Sequence, residues 1–291
     1  MKVTGFTFVR NALTFEYPIV AAITSILPIC DTFVVAVGDS ADQTLELIKS
    51  INSPKIQIVQ TQWDDSLRQG GRVLAQETDK AYSFIPPDTT WAFYIQADEV
   101  VHEKYLETIK AAMLRHQNDQ KVEGFLFKYL HFYGAYSYIA NARRFYRQEI
   151  RIVRYLPSVF SYKDAQGFRK KPNEKLKVKA INAYMYHYGW VKEPLKQLEK
   201  QRSSGRFWHN DQKIDQDFGT MQTYDYTKSI ESLSNFEGTH PETMQSFVEK
   251  QHWAFDFDTT KQRYNIKYKF LLWIEKRTGW RIGEYKNYRK I

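Results

Sequence analysis

The sequence predicts an α/β fold, a mostly parallel sheet flanked by helices and followed by an extension of different character. Three observations predict it. Strand-like and helix-like stretches alternate through roughly the first 130 residues, at the spacing of strand–crossover–strand units. Thr32–Val37 (TFVVAV) is a nearly continuous β-branched and aromatic run, the pattern of a strand buried on both faces. After about residue 140 the alternation gives way to basic, aromatic-rich segments.

The elements follow in order. Val3–Val9 is a β-prone run ending at Arg10–Asn11, and Tyr17–Ile29 then carries apolar residues at helical spacing, with Pro18 tolerable in a first turn. Thr32–Val37 stops at the turn signal Gly38–Asp39–Ser40. Thr44–Ile51 reads as a helix and Lys55–Gln60 as a strand. Asp64–Lys80 reads as a helix despite Gly70–Gly71, each of which costs about 1 kcal/mol in a helix interior. Trp91–Gln96 is the next strand, broken by Ala97–Asp98–Glu99; Tyr105–His116 is a helix and Val122–Leu130 a strand. Beyond the change, Arg151–Tyr155 is a strand with basic ends and Tyr162–Lys179 is polar and turn-rich. Ile181–Trp190 is aromatic, Val191–Arg206 reads as a charged helix, and residues 207–245 are irregular. Tyr264–Arg277 closes the series as an amphipathic basic helix.

With 291 residues the chain has room for a sizeable core, and 43% hydrophobic with 26% charged residues excludes a disordered chain. The net charge of +9 hides an asymmetry. Residues 1–140 hold 12 Lys/Arg against 16 Asp/Glu, whereas residues 141–291 hold 30 against 17. Such a basic, Tyr-rich second half suits an anionic partner: nucleic acid, a lipid surface or a phosphorylated small molecule. Cys30 is the single cysteine, which excludes a disulfide framework and a cysteine-based metal site; its apolar surroundings predict a buried thiol. There is no secretory pattern at Met1 and no apolar run of 18 residues, so the expectation is a soluble cytoplasmic protein, at most resting on the inner face of a membrane.

In a parallel sheet, ligands bind outside the carboxyl ends of the strands. Three polar clusters fall at such ends: Val9–Arg10–Asn11, Gly38–Asp39–Ser40, and Gln96–Ala97–Asp98–Glu99. Two adjacent carboxylates after a buried strand are costly unless they meet water, a cation or a donor. Neighbouring side chains diverge, so one should face the site and the other the scaffold. A carboxylate together with diphosphate oxygens suits Mg²⁺ or Mn²⁺; a solvated acidic turn is the alternative. Neither GxGxxG nor GxxxxGK[ST] is present, nor HExxH or GxSxG, and the seven histidines show no ligand spacing.

These features resemble the family 2 glycosyltransferases, whose nucleotide-sugar-binding fold is called GT-A, a Rossmann-like sheet flanked by helices. The family's Asn-containing turn after the first strand falls at Val9–Asn11, and its DGSxDxT motif at Gly38–Asp39–Ser40–Ala41–Asp42–Gln43–Thr44. Its DxD motif falls at Gln96–Ala97–Asp98–Glu99, and a glycine-bearing helix at Gly70–Gly71–Arg72 with Ala75. The resemblance covers about residues 1–130. Two positions depart from the family pattern: Gly38 stands where an Asp usually contacts the nucleoside, and Gln96 replaces the first DxD aspartate.

The resemblance implies a metal-dependent, inverting transfer of a sugar from a nucleotide diphosphate to a saccharide or lipid-linked saccharide hydroxyl. Val9, Arg10, Asn11, Asp39, Arg72, Gln96 and Asp98 would form the donor site, with Asp98 as the direct ligand to Mn²⁺ or Mg²⁺. Asp164 would be the base that deprotonates the acceptor, with Glu99 as the fallback; an ordinary turn aspartate is the alternative for Asp164. His187 would return to the metal or diphosphate, against the alternative of a hydrogen-bonded core histidine. Arg169–Lys170–Lys171 would draw in the diphosphate or a phosphorylated acceptor, unless it is a solvated charge run. Residues 1–140 would be the nucleotide-sugar core, and 141–291 the acceptor-side portion of the same catalytic unit. For Tyr264–Arg277 two readings stand: a helix on an anionic membrane, or one packed on the sheet with cationic side chains covering its edge.

Two other functions compete. A nucleotidyltransferase would share the fold and metal geometry, but Val9–Leu13 lacks its glycine- and basic-rich loop. A non-catalytic nucleic-acid-binding protein would use the basic second half, with Tyr and Trp stacking on bases. It has no need of three polar clusters at strand ends.

Overall fold

The computed structural model describes every residue except 68 and 229. Its first part is the parallel half of the sheet: β1 (Val3–Val9), β2 (Thr32–Gly38), β3 (Ile56–Thr61) and β4 (Trp91–Tyr94), linked through α1 (Ile19–Ile26), α2 (Thr44–Lys49) and α3 (Arg72–Ser83). β1 lies between β2 and β4, with Phe6 opposite Val34 and Tyr94, and β3 pairs with the outer edge of β2. The apolar run of β2 is divided between two cores by strand alternation. Phe33, Val35 and Val37 join Ile19, Ile23 and Ile26 of α1, while Val34 and Ala36 join Ala81 and Tyr82 of α3.

β5 (Glu99–Val101), α4 (Leu106–His116), β6 (Gly124–Tyr133), β7 (Ala135–Ala140) and β8 (Gln148–Arg154) come next. β9 (Val159–Tyr162), β10 (Gly167–Lys170) and β11 (Glu174–Trp190) complete the main path, whose order is β3-β2-β1-β4-β8-β6-β11-β10-β9. β8 is antiparallel to both β4 and β6, so it joins the parallel half to the later strands. The sheet therefore passes through residue 140 without a break. The remaining elements are α5 (Pro194–Gly205), α6 (Asp211–Phe218), β12 (Leu233–Asn235), α7 (Gln245–Glu249), α8 (Ile266–Thr278) and β13 (Tyr288–Lys290).

Three expectations are corrected. The helix predicted over 64–80 begins only at Arg72 and extends to Ser83, because Gly70 and Gly71 both adopt positive φ, at 62° and 67°. Residue 68, inside that span, and residue 229, inside the irregular stretch, lie outside the described residues. The polar stretch 162–179 is not turn throughout: it holds β10 and the start of β11, a strand of 17 residues. The basic helix predicted over 264–277 is present with shifted ends as α8, whose Leu271, Leu272, Ile274 and Glu275 are half-buried while no residue is fully buried. Cys30 is buried, as expected.

Candidate active site

A cavity of about 880 Å³ opens at the carboxyl ends of β1, β3 and β4. Arg10 and Asn11 line it after β1, Trp63 and Asp64 after β3, and Gln96 and Asp98 after β4. The opposite wall comes from β11 and α5 through His187, Trp190 and Lys200, and Asp164 reaches the same space from the loop between β9 and β10.

The turn after β1 is fixed by the Gly38–Thr44 segment. Asn11 has a φ of 55°, and its amide donates to Ser40 Oγ at 3.0 Å. In return Asn11 Oδ1 accepts from the Ala41 amide at 2.7 Å. Ala12 donates to Thr44 Oγ1 at 2.7 Å, and Asp42 accepts from the amide and hydroxyl of Thr14 at 2.7 and 2.9 Å. Ser40, Asp42 and Thr44 thus hold the loop that presents Arg10 and Asn11, and bonds from Thr14 and Thr44 outweigh burial to keep the Asp42 carboxyl below its usual range.

Gly38 has a steric reason. A Cβ there would lie 2.3 Å from Nε1 of Trp63, whose indole packs against Phe8, Phe207 and the Arg10 guanidinium. Asp39 is turned behind this aromatic wall, accepting from the Trp63 amide at 3.3 Å and pairing with Arg10 at 3.4 Å.

Asp98 and Glu99 diverge as adjacent side chains must. Asp98 faces the cavity, with Lys200 Nζ 3.2 Å from Oδ2 and His187 Nε2 3.7 Å from Oδ1. Burial pushes its carboxyl up, but the adjacent Lys200 ammonium, which also donates to it, more than offsets this and holds it below the usual carboxylate range. Lys200 also donates to the Gly189 carbonyl at 2.9 Å. Glu99 is 0% exposed and turned into the scaffold. It accepts from Arg151 Nη2 and Nε at 2.7 and 2.8 Å, and from the Tyr129 hydroxyl at 2.7 Å.

The register of β11 against β5 sets His187 opposite Glu99 and so brings its ring beside Asp98. His131 Nε2 meets the Tyr146 carbonyl at 2.8 Å, a partner that can only accept. Burial pushes the His131 pKa well down, so its ring is neutral and Nδ1 is an acceptor. His187 Nδ1, 3.2 Å away, therefore donates to it, leaving His187 Nε2 with its lone pair toward Asp98. Burial, outweighing the Asp98 charge, also lowers the His187 pKa and favours this neutral form.

Asp98 Oδ1 and His187 Nε2 thus present an oxygen and a nitrogen donor to one point on the cavity wall, a pair suited to Mn²⁺ or Mg²⁺ when diphosphate oxygens and water complete the shell. Among the described residues no group of three or more His, Cys, Asp or Glu side chains could hold an ion by itself.

The predicted site residues divide accordingly. Val9, Arg10, Asn11, Gln96, Asp98, Asp164 and His187 all line the cavity; Asp39 and Arg72 do not, and Arg72 is exposed at the start of α3. Glu99 is corrected: a fully buried carboxylate locked on Arg151 has no access to an acceptor. Arg169 is corrected too, since it is buried with Asn287 at 2.8 Å, Asn173 at 2.8 Å and the Tyr162 ring 3.7 Å from its guanidinium. Sequence reasoning missed Lys200, His131 and Trp63. No motif marks them: Lys200 sits in an ordinary charged helix, and His131 is one alternate position of a strand.

No protein-family model matches the sequence, and no curated protein matches it. Among solved structures, the chain is similar to S. aureus TarS, crystallised alone and with UDP, at TM-score 0.41 and 17% identity over 74% of this chain and 69% of that one. It is similar to glucosyl-3-phosphoglycerate synthase from Mycobacterium tuberculosis, crystallised with Mn²⁺ and UDP-glucose, at TM-score 0.31 and 14% identity over 45% and 44%. A third similarity is to 4-diphosphocytidyl-2C-methyl-D-erythritol synthase from Anaerococcus prevotii, at TM-score 0.34 and 12% identity over 53% and 71%.

Proposed function

We propose that the chain is a metal-assisted, inverting glycosyltransferase, moving a sugar from a nucleoside diphosphate to a saccharide or lipid-linked saccharide hydroxyl. The observation that carries this reading is Asp98 at the carboxyl end of β4, facing the cavity with His187 and Lys200 beside it.

In this reading Arg10 and Asn11 meet the nucleoside, with the Phe8 and Trp63 rings forming the apolar wall beside it. Asp98 and His187 would hold the divalent cation, which offsets negative charge on the departing diphosphate. Lys200 adds a fixed positive charge at the same point. Asp164 takes the proton of the acceptor hydroxyl as that oxygen bonds to the anomeric carbon and the bond to the diphosphate breaks. Gln96 Nε2 donates to the Ala165 carbonyl at 3.3 Å and so ties the strand bearing the metal ligand to the loop bearing the base.

The test is release of nucleoside diphosphate from a panel of nucleotide sugars, with Mn²⁺ and with chelator. At least one donor is expected to turn over with Mn²⁺, and Asp164→Asn to lower that rate by about 100-fold or more. No turnover of any donor, together with no donor binding, would contradict the reading.

A further inference from the structure

We propose that α8 and the turn after it form a docking surface for an anionic lipid bilayer. Ile266, Phe270, Trp273 and Trp280 are 88%, 59%, 53% and 61% exposed. Ile266, Phe270 and Trp273, spaced by four and three residues, lie along one side of the helix, and Trp280 follows in the turn beyond the left-handed Gly279. Phe270 and Trp273 stack on each other with centroids 6.1 Å apart and reach no core. Exposed aromatics at this density call for a cover.

Charge selects the cover. Lys267, Lys269, Lys276 and Arg277 are exposed on the same helix. Its one acidic residue, Glu275, is turned inward, bonded to Arg143 at 2.6 Å and close to Arg147 at 3.2 Å and Arg281 at 3.4 Å. The outward charge of α8 is therefore wholly positive. Aromatic side chains flanked by Lys and Arg, on a helix too short to span, suit a position in the headgroup plane of an anionic membrane. Among the described residues no helix is long and apolar enough to cross one. The Glu275 ion pairs also fix α8 to the segment whose Arg144 and Tyr146 line the cavity, so a docked helix would hold the site at the lipid surface.

The experiment is co-sedimentation of the full chain, without nucleotide, with vesicles of phosphatidylcholine plus phosphatidylglycerol and with vesicles of phosphatidylcholine alone. Binding is expected only to the anionic vesicles. Phe270→Ser with Trp273→Ser should weaken it on the order of 100-fold, since each aromatic loses its apolar burial. Each of Lys267→Gln, Lys269→Gln and Lys276→Gln should weaken it about fivefold. The double aromatic variant should keep the wild-type melting temperature, because these side chains touch no core. Equal pelleting with both vesicle types, or unchanged pelleting of the double variant, would overturn the proposal. So would sedimentation velocity showing a dimer that the same substitutions abolish, or oligonucleotide binding through these residues with no vesicle binding. Nucleotide plays no part in the readout, so failure here is distinct from failure of glycosyl transfer.

Discussion

Two neighbouring carboxylates in one turn have opposite surroundings, and both are needed to place the site. Arg151 holds Glu99 through two bonds and also donates to the Gln166 carbonyl at 2.7 Å, two residues beyond Asp164. One buried guanidinium therefore anchors both the turn carrying Asp98 and the loop carrying Asp164. Replacing Arg151 with Met leaves Glu99 buried and unpaired, and should cost about 3–5 kcal/mol in urea unfolding. Adding Glu99→Gln should recover part of that loss. The sequence shows that two adjacent side chains must diverge, one to the site and one to the scaffold, although it also offers Glu99 as a fallback base. It could not name the partner of Glu99, since Arg151 lies far along the chain in a strand whose basic ends look solvated.

Lys192 gives a second test at this scale. Its ammonium is buried, donating to the Glu16 carbonyl at 2.7 Å. Burial, with Lys200 adding like-charge repulsion, lowers its pKa to about 7. Between that value and about 10.4 the unfolded chain binds the proton that the folded chain has released, so this group makes stability rise with pH. The wild-type unfolding free energy from urea titration should rise from pH 7 to 9.5 by more than that of Lys192→Met, a difference on the order of 3 kcal/mol. Equal rises would contradict the assignment.

Strand and helix order was legible because it rests on local periodicity: a run such as TFVVAV cannot be stable except between two apolar layers. Boundaries set by contacts distant in sequence were not. The start of α3 is an example. Gly71 donates its amide to the Phe207 carbonyl at 2.9 Å, and a Cβ on it would lie 2.5 Å from Asp164 Cβ. The glycine pair that seemed a weakness inside a helix is instead a turn closed against two later segments. Gly70→Ala, with open space around its Cα, should cost only the left-handed backbone penalty of about 1 kcal/mol. Gly71→Ala should cost about 1–3 kcal/mol more and slow turnover by displacing Asp164. Equal effects on stability and rate would contradict a role for that contact.

For the molecule as a whole, the charge asymmetry reflects how the site is assembled. Asp98 comes from the acidic half, whereas His187 and Lys200 come from the basic half, carried there by β11 and α5. The sheet is continuous across residue 140, so the change in composition marks two sides of one cavity. The motifs before residue 130 were legible because Asn11, Ser40, Asp42 and Thr44 bond to one another within two loops. Lys200 was not, because it reaches Asp98 from 102 positions away in sequence.

Calorimetric titration with nucleoside diphosphates, with and without Mn²⁺, tests the central claim most directly. The wild-type chain should bind at least one of them with an affinity that Mn²⁺ strengthens, and Asp98→Asn should keep its fold while losing that strengthening. If no nucleoside diphosphate binds, or if Asp98→Asn binds with the same Mn²⁺ dependence as the wild type, the assignment of this cavity to a nucleotide diphosphate is wrong.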